Sequence, residues 1–339
     1  MDMWEIVFFT VLGFILLAYG GDFVCRGASA MAIHFGISQF VIGMTIVAIS
    51  TSAPELVTSL IATLDRHPEI VVGNVIGSNL VNIGLAGGLV ALIKPFTITS
   101  HIIKIEIPFL CFITGYFGIC AILIPIEFHL GIIFIAINVL YLYFICKKDR
   151  CENEEENVNS KISLEIDLEK ALSLFIFGLL LLFSGAQLVI NASVKIAHAL
   201  GWSDALIGFT IVAVGTSFPE IVISLVAALR GHGAICTGNI IGSNIFNSLM
   251  ITGSCALIHP IPVSTELCRT SIPFLVFLTI LMGCFFVTRR KINRLEGLVL
   301  FVVFICAFSF SIYSEGRAFW AAFPNGNSKG VQPLKFLQR

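Results

Sequence analysis

Between Glu5 and Ser314 the chain is built of ten apolar stretches, each 19 to 30 residues long and separated by short polar breaks. A membrane-crossing helix needs about 20 such residues. In hydrocarbon every peptide group must find its hydrogen bond within the chain, which leaves helices and closed barrels. Runs this long lack the alternation and brevity of barrel strands. The stretches cover 5–25, 37–64, 69–93, 102–124 and 127–147, then 169–198, 204–229, 233–258, 270–288 and 294–314. Only 12% of residues are charged and mean hydropathy is +0.97, against about 25% charged in soluble domains. The expected fold is an all-α integral membrane protein with ten transmembrane helices. A net charge of −1 gives no electrostatic case for binding nucleic acid.

The ten stretches form two sets of five. "GMTIVAISTSAPELVTSLIATL" begins at Gly43 and "GFTIVAVGTSFPEIVISLVAAL" at Gly208, an offset of 165 residues. The same offset maps Gly13 and Gly20 to Gly178 and Gly185, Asn82 to Asn247, Pro95 to Pro260 and Pro108 to Pro273. A register held without gaps over this distance means duplication. The divisions expected are a first five-helix repeat at 1–147, an acidic linker at 148–168, a second repeat at 169–314 and a tail at 315–339. An odd number of spans per repeat makes the second enter the membrane from the opposite side. With both termini outside, 13 of the 20 basic residues fall in inner loops, the arrangement that the positive-inside rule favours. The linker is then cytoplasmic, in a multi-pass protein of the cell (inner) membrane. The N-terminus "MDMWEIVFF" lacks the basic region of a cleavable signal. The ten cysteines form no CxxC pair or zinc-spaced cluster and read as small hydrophobes.

Each repeat carries a proline and a carboxylate in mid-span: Pro54 and Glu55, Pro219 and Glu220. Proline removes a helix hydrogen bond and distorts the turn before it, freeing backbone oxygens. Such backbone is tolerated at membrane depth where it lines a cavity. An intramembrane carboxylate marks a functional site by default. Thr51 and Glu55, like Thr216 and Glu220, are four apart and share a helix face. Downstream, "GNVIGSNLVN" and "GNIIGSNIFN" place Ser78 and Asn82, and Ser243 and Asn247, on one face of each helix. Hydroxyls, amides and two carboxylates compose the oxygen set that a hard cation such as Ca²⁺ takes. A single intramembrane Ser or Thr is usually bonded to its own helix, and GxxxG steps such as Gly73–Gly77 usually serve packing. Duplication of the whole set favours a site. Asp22 and Glu106 stand near span ends and are expected to face water or headgroups, leaving Glu55 and Glu220 as the carboxylates deep within spans.

In these paired segments the chain resembles the calcium/cation antiporter superfamily, and within it the compact prokaryotic sodium/calcium exchangers. The resemblance spans the ten-helix core. It implies two inverted repeats, alternating access, and exchange of Ca²⁺ for Na⁺ with no cofactor and no enzymatic reaction. It assigns Glu55 and Glu220 as central ligands of both ions. Thr51, Thr216, Ser52 and Ser217 would add oxygens. The carbonyls of Ala48 and Ala213, with Ser78 and Ser243, would complete sodium sites, and Asn82 and Asn247 would face the middle. Several relatives, including potassium-dependent exchangers, carry Asp where this chain has Asn247, which argues against potassium coupling here. The partners implied are Ca²⁺, Na⁺ and lipid.

Three other readings compete. A proton/calcium antiporter could use the same glutamates, although protons need no cage of oxygens. An intramembrane metal-dependent hydrolase would want an HExxH-like pair, which the sequence lacks. A passive channel is disfavoured by inverted repeats meeting at paired glutamates.

Overall fold

The computed structural model describes residues 3–97, 102–157, 167–199, 213–263, 268–289 and 291–322. Part of the seventh expected span (204–212), part of the linker (158–166) and most of the tail (323–339) lie outside these. Among the described residues six helices are long and apolar enough to cross a membrane, and a seventh span is a helix pair bent by 42°.

In chain order, α1 is Met3–Phe35. The bent pair is α2 Gln39–Thr51 and α3 Ala53–Leu64. Next come α4 Ile70–Ile93, strand β1 Phe96–Thr97, α5 Ile103–Leu123 and α6 Phe128–Asn157. The second half has α7 Leu168–Ala199, the short α8 Ala213–Thr216, α9 Phe218–Leu229 and α10 Gly233–Ala256. It closes with α11 Ser271–Arg289, β2 Lys291–Ile292 and α12 Arg294–Ala322. α6 passes without a break beyond Lys147, so the expected linker begins as helix up to Asn157.

The apolar chain must hide its polar atoms, and the layering follows from where they are. α4 and α10 carry the Asn- and Ser-rich segments and are the most buried of the six long described helices. They pack against the broken pairs α2–α3 and α8–α9. α6 covers α10 and α12 covers α4. Two antiparallel pairings tie the ends of the halves together: Phe96 with Ile292 in β1–β2, and the single bridge Ile126 with Ile261.

α1 and α7 pack along each other. The glycines that mark the repeat are what lets them touch. A Cβ on Gly20 would lie 2.7 Å from the Leu182 nitrogen and 2.8 Å from the Gly178 oxygen. A Cβ on Gly178 would lie 2.7 Å from the Val24 nitrogen. Gly13 and Gly185 repeat the arrangement with 3.0 and 2.7 Å to each other's oxygens. Small residues that bring backbones this close supply the van der Waals contact that holds helices together in lipid.

Because the neighbours of Gly20 are backbone atoms, Gly20→Val must push the helices apart. Overpacking of this kind costs about 1–3 kcal/mol. Thermal unfolding of the purified protein in detergent should show that loss. Leu180→Ala on the lipid face, 60% exposed, should change stability by about 0.5 kcal/mol or less. Equal effects of the two would refute the packing role of Gly20.

Candidate functional site

The bend between α2 and α3 falls at Ser52, with φ −82° and ψ 7°, and its counterpart Ser217 has φ −87° and ψ 8°. Pro54 and Pro219 sit in the first turn of the following helix, where a missing N–H costs nothing. Glu55 and Glu220 stand in that same turn, at the positive end of the helix dipole, which favours their charge. Each break thus places a serine at the corner and a glutamate three residues on.

The two corners interlock. Ser52 donates to Glu220 Oε1 at 2.9 Å, and Ser217 donates to Glu55 Oε1 at 3.0 Å. Thr216 and Thr51 lie beside the same two carboxylates, Glu55 and Glu220 respectively, and the glutamates are near enough for their charges to interact. Both glutamates are 1% exposed. Asn74 Nδ2 donates to the Glu55 carbonyl at 3.3 Å and to Ser59 Oγ at 2.9 Å. Asn239 repeats this on the Glu220 carbonyl at 3.3 Å and Ser224 Oγ at 3.0 Å. Thr51 Oγ1 lies 3.2 Å from the Ala48 carbonyl and 3.3 Å from Asn239 Oδ1.

What is left over defines the site. Glu55 Oε2, Glu220 Oε2, Ser78 Oγ, Ser243 Oγ, Asn247 Oδ1 and both amide atoms of Asn82 are buried without a protein partner. Burying a polar atom unpaired is costly, and an orphaned group calls for water or an ion. All but one of these atoms is an oxygen, and they come from both halves. Among the described residues no group of three or more His, Cys, Asp or Glu gathers for a metal. Two carboxylates amid neutral oxygens are the donor set of a hard cation, not of zinc or iron. Ala48 is fully buried and its carbonyl also accepts the Ser52 N–H at 3.0 Å. Ala213 opens α8.

The family profile described as sodium/calcium exchanger protein matches residues 5–147 and 170–313. A membrane protein of Methanocaldococcus jannaschii is 37% identical over 302 residues, covering 88% of this chain and 95% of its own. The sodium/calcium exchanger MaX1 of Methanosarcina acetivorans is 32% identical over 333 residues, covering 87% and 95%. A solved structure of the sodium-calcium exchanger NCX_Mj, soaked with Na⁺ and Ca²⁺, superimposes with a TM-score of 0.78 at 34% identity, over 91% of this chain and 99% of that one. The chain belongs to the sodium/calcium exchanger family. It is a membrane transporter of the exchanger-type antiporter superfamily, not an enzyme.

The exchanger's two halves agree in sequence more closely than in burial. Gly238 and Gly242 on α10 are pressed onto α2, where an added Cβ would lie 2.3 Å from the Phe40 oxygen and 2.4 Å from the Met44 oxygen. Their counterparts Gly73 and Gly77, with Asn74 between them, are partly exposed. Thr51 is fully buried while Thr216 is partly exposed. The segment equivalent to the part of α2 that covers Gly238 and Gly242 falls at 205–209, outside the described residues.

Two expectations are overturned. Asp22 does not face water: it is 6% exposed and pairs with Arg230 at 2.6 Å and Arg26 at 2.9 Å. Packing of α1 on α9 brings Arg230 to it, a contact invisible across 208 residues of sequence. Glu106 is 1% exposed and accepts the Tyr141 hydroxyl, which also contacts Met44 Sδ at 3.3 Å. Glu55 and Glu220 are therefore not alone among buried carboxylates. Ser59 and Ser224 were not singled out as site residues, although the 165-residue register pairs them as it pairs the glutamates. Asn79 lies in the duplicated motif, paired by the register with Asn244, but its partner Ser248 carries no repeat signal, because the counterpart of Ser248 is Ile83.

Proposed function

We propose that this exchanger moves Ca²⁺ against Na⁺ through alternating access, with the cation held between Glu55 and Glu220. The observation that carries the reading is the reciprocal pairing of Ser52 with Glu220 and Ser217 with Glu55, which leaves the second oxygen of each carboxylate buried and unpartnered. Two such oxygens balance one divalent or two monovalent cations. Thr51, Thr216, Ser78, Ser243, Asn82, Asn247 and the Ala48 and Ala213 carbonyls complete the ligands. The cage of neutral oxygens favours Na⁺ over H⁺ as the coupling ion. Ten spans in two inverted repeats arise when α8–α9, α11 and α12 are counted with the six long helices and the bent pair. The reciprocal contacts between halves support that symmetry.

Glu55→Gln and Glu220→Gln should each abolish ⁴⁵Ca²⁺ uptake driven by an outward Na⁺ gradient in proteoliposomes, while the protein still inserts. Either change leaves one charge for a divalent ion in a low-dielectric site. In the wild type, Na⁺ should weaken Ca²⁺ binding steeply, since more than one Na⁺ replaces the charge. Ca²⁺ binding that ignores Na⁺ and follows pH would move the assignment to proton exchange.

With both termini outside and the linker in the cytoplasm, the exposed turn at 65–67 between α3 and α4 lies outside. An impermeant thiol reagent applied externally should therefore reach Asp65→Cys and not Asn157→Cys, in a background freed of reactive native cysteines. The opposite pattern would reverse the orientation.

Asn247 keeps the formal charge of the site at −2, enough for one Ca²⁺ or two Na⁺ with no further cation. Replacing K⁺ by choline at fixed Na⁺ and clamped voltage should leave calcium flux unchanged. Asn247→Asp should make flux depend on pH or K⁺, because a third buried carboxylate needs a proton or a cation. Wild-type flux that collapses without K⁺ would defeat this charge argument.

A further inference from the structure

The two middle asparagines occupy equivalent places in the repeat but not in the hydrogen-bond network. Asn79, on α4, crosses to the other half: its Nδ2 donates to the Asn244 carbonyl at 3.3 Å and to Ser248 Oγ at 2.9 Å. A backbone carbonyl only accepts, so the Asn79 amide has one permitted orientation, with Oδ1 on the far side. That oxygen can be satisfied only by a donor, and Asn247 Nδ2 supplies it at 3.2 Å. The Asn247 amide is thereby oriented in turn. Its nitrogen is committed to Asn79 and its oxygen is buried with no partner. The turn that bears Asn247, Asn247–Ile251, packs against the helix that carries Glu55.

On the other side this relay is missing. The counterpart of Asn79 is Asn244, whose Nδ2 folds back on the Ile240 carbonyl of its own helix at 2.7 Å. The counterpart of Ser248 is Ile83, which has no hydroxyl to draw that amide across. Asn244 Oδ1 and both amide atoms of Asn82 are left without partners. Asn79, Asn247 and Ser248 are each about 1% exposed or less, so no solvent competes for these bonds.

We infer that Asn79 and Ser248 are positioning residues that hold the Asn247 amide with its oxygen presented to the cation, and that Asn82 has no such support. The inference rests on the cation site proposed above and makes its two middle ligands unequal. Asn247 is a preorganised oxygen donor. Asn82 must orient as the cation arrives.

The test is the Ca²⁺ concentration giving half-maximal Na⁺-driven uptake, in the wild type, Ser248→Ala, Ser248→Cys and Asn79→Ala. Ser248→Ala removes the acceptor and slightly underfills the site, whereas Ser248→Cys puts a poor acceptor in a slightly larger side chain, so a shift common to both reports loss of the bond and not a change of packing. Each variant should raise the half-maximal concentration by roughly fivefold, the worth of one net hydrogen bond, with the unfolding temperature of Ser248→Cys unchanged. In an Asn247→Ala background the Ser248→Cys change should have no further effect, since the amide through which it acts is gone. The same shift in both backgrounds, or no shift in either Ser248 variant, would overturn the proposal. Glu55→Gln is run beside them. Its failure to abolish uptake would instead defeat the cation site itself.

Discussion

Everything in this protein is arranged around two carboxylates in the middle of a membrane. Placing one at the centre of a helix costs about 2.5–3.5 kcal/mol on insertion scales, and this chain places two within reach of each other's charge. Each is held at one oxygen by a serine of the opposite half, Glu55 by Ser217 and Glu220 by Ser52. Each glutamate takes its serine hydrogen bond from the other half. The pairing therefore sets both carboxylates at the interface between halves, not within either bundle.

The helix breaks serve that pairing. An unbroken helix would send its serine and glutamate along the same axis. The turn at Ser52 lets the serine reach across while the glutamate starts a new helix with its own dipole behind it. Wide π turns in α4 and α10, Val81–Gly87 and Asn247–Ile251, open the backbone where Asn82 and Asn247 stand, a feature that recurs at functional sites. Outside this centre the glycine seam between α1 and α7 brings a pair of largely lipid-facing helices backbone to backbone. Asp22 then joins that pair to the centre through Arg230 at the end of α9.

Equal sequence has not produced equal surroundings. Gly238 and Gly242 are sealed under α2, while Gly73 and Gly77 keep partial exposure. The relay from Ser248 through Asn79 to Asn247 likewise has no counterpart, because Ile83 stands in the first half where the second has Ser248.

Much of this was legible in the chain. The 165-residue register, the apolar stretches and the Pro–Glu pairs are local or periodic signals. They determined helices, duplication and the two glutamates, because hydropathy sets what lipid accepts and a mid-span carboxylate has few structural excuses. The tertiary structure decided the rest. It turned Gly13, Gly20, Gly178 and Gly185 from repeat markers into a contact surface, and buried Asp22 and Glu106, which read as boundary residues. It also joined Asn79 to Ser248, where the repeat has Ile83 and gives no hint. Those outcomes depend on which atom of a distant helix comes within hydrogen-bonding distance, and a pattern of spacing along one chain carries no such distance.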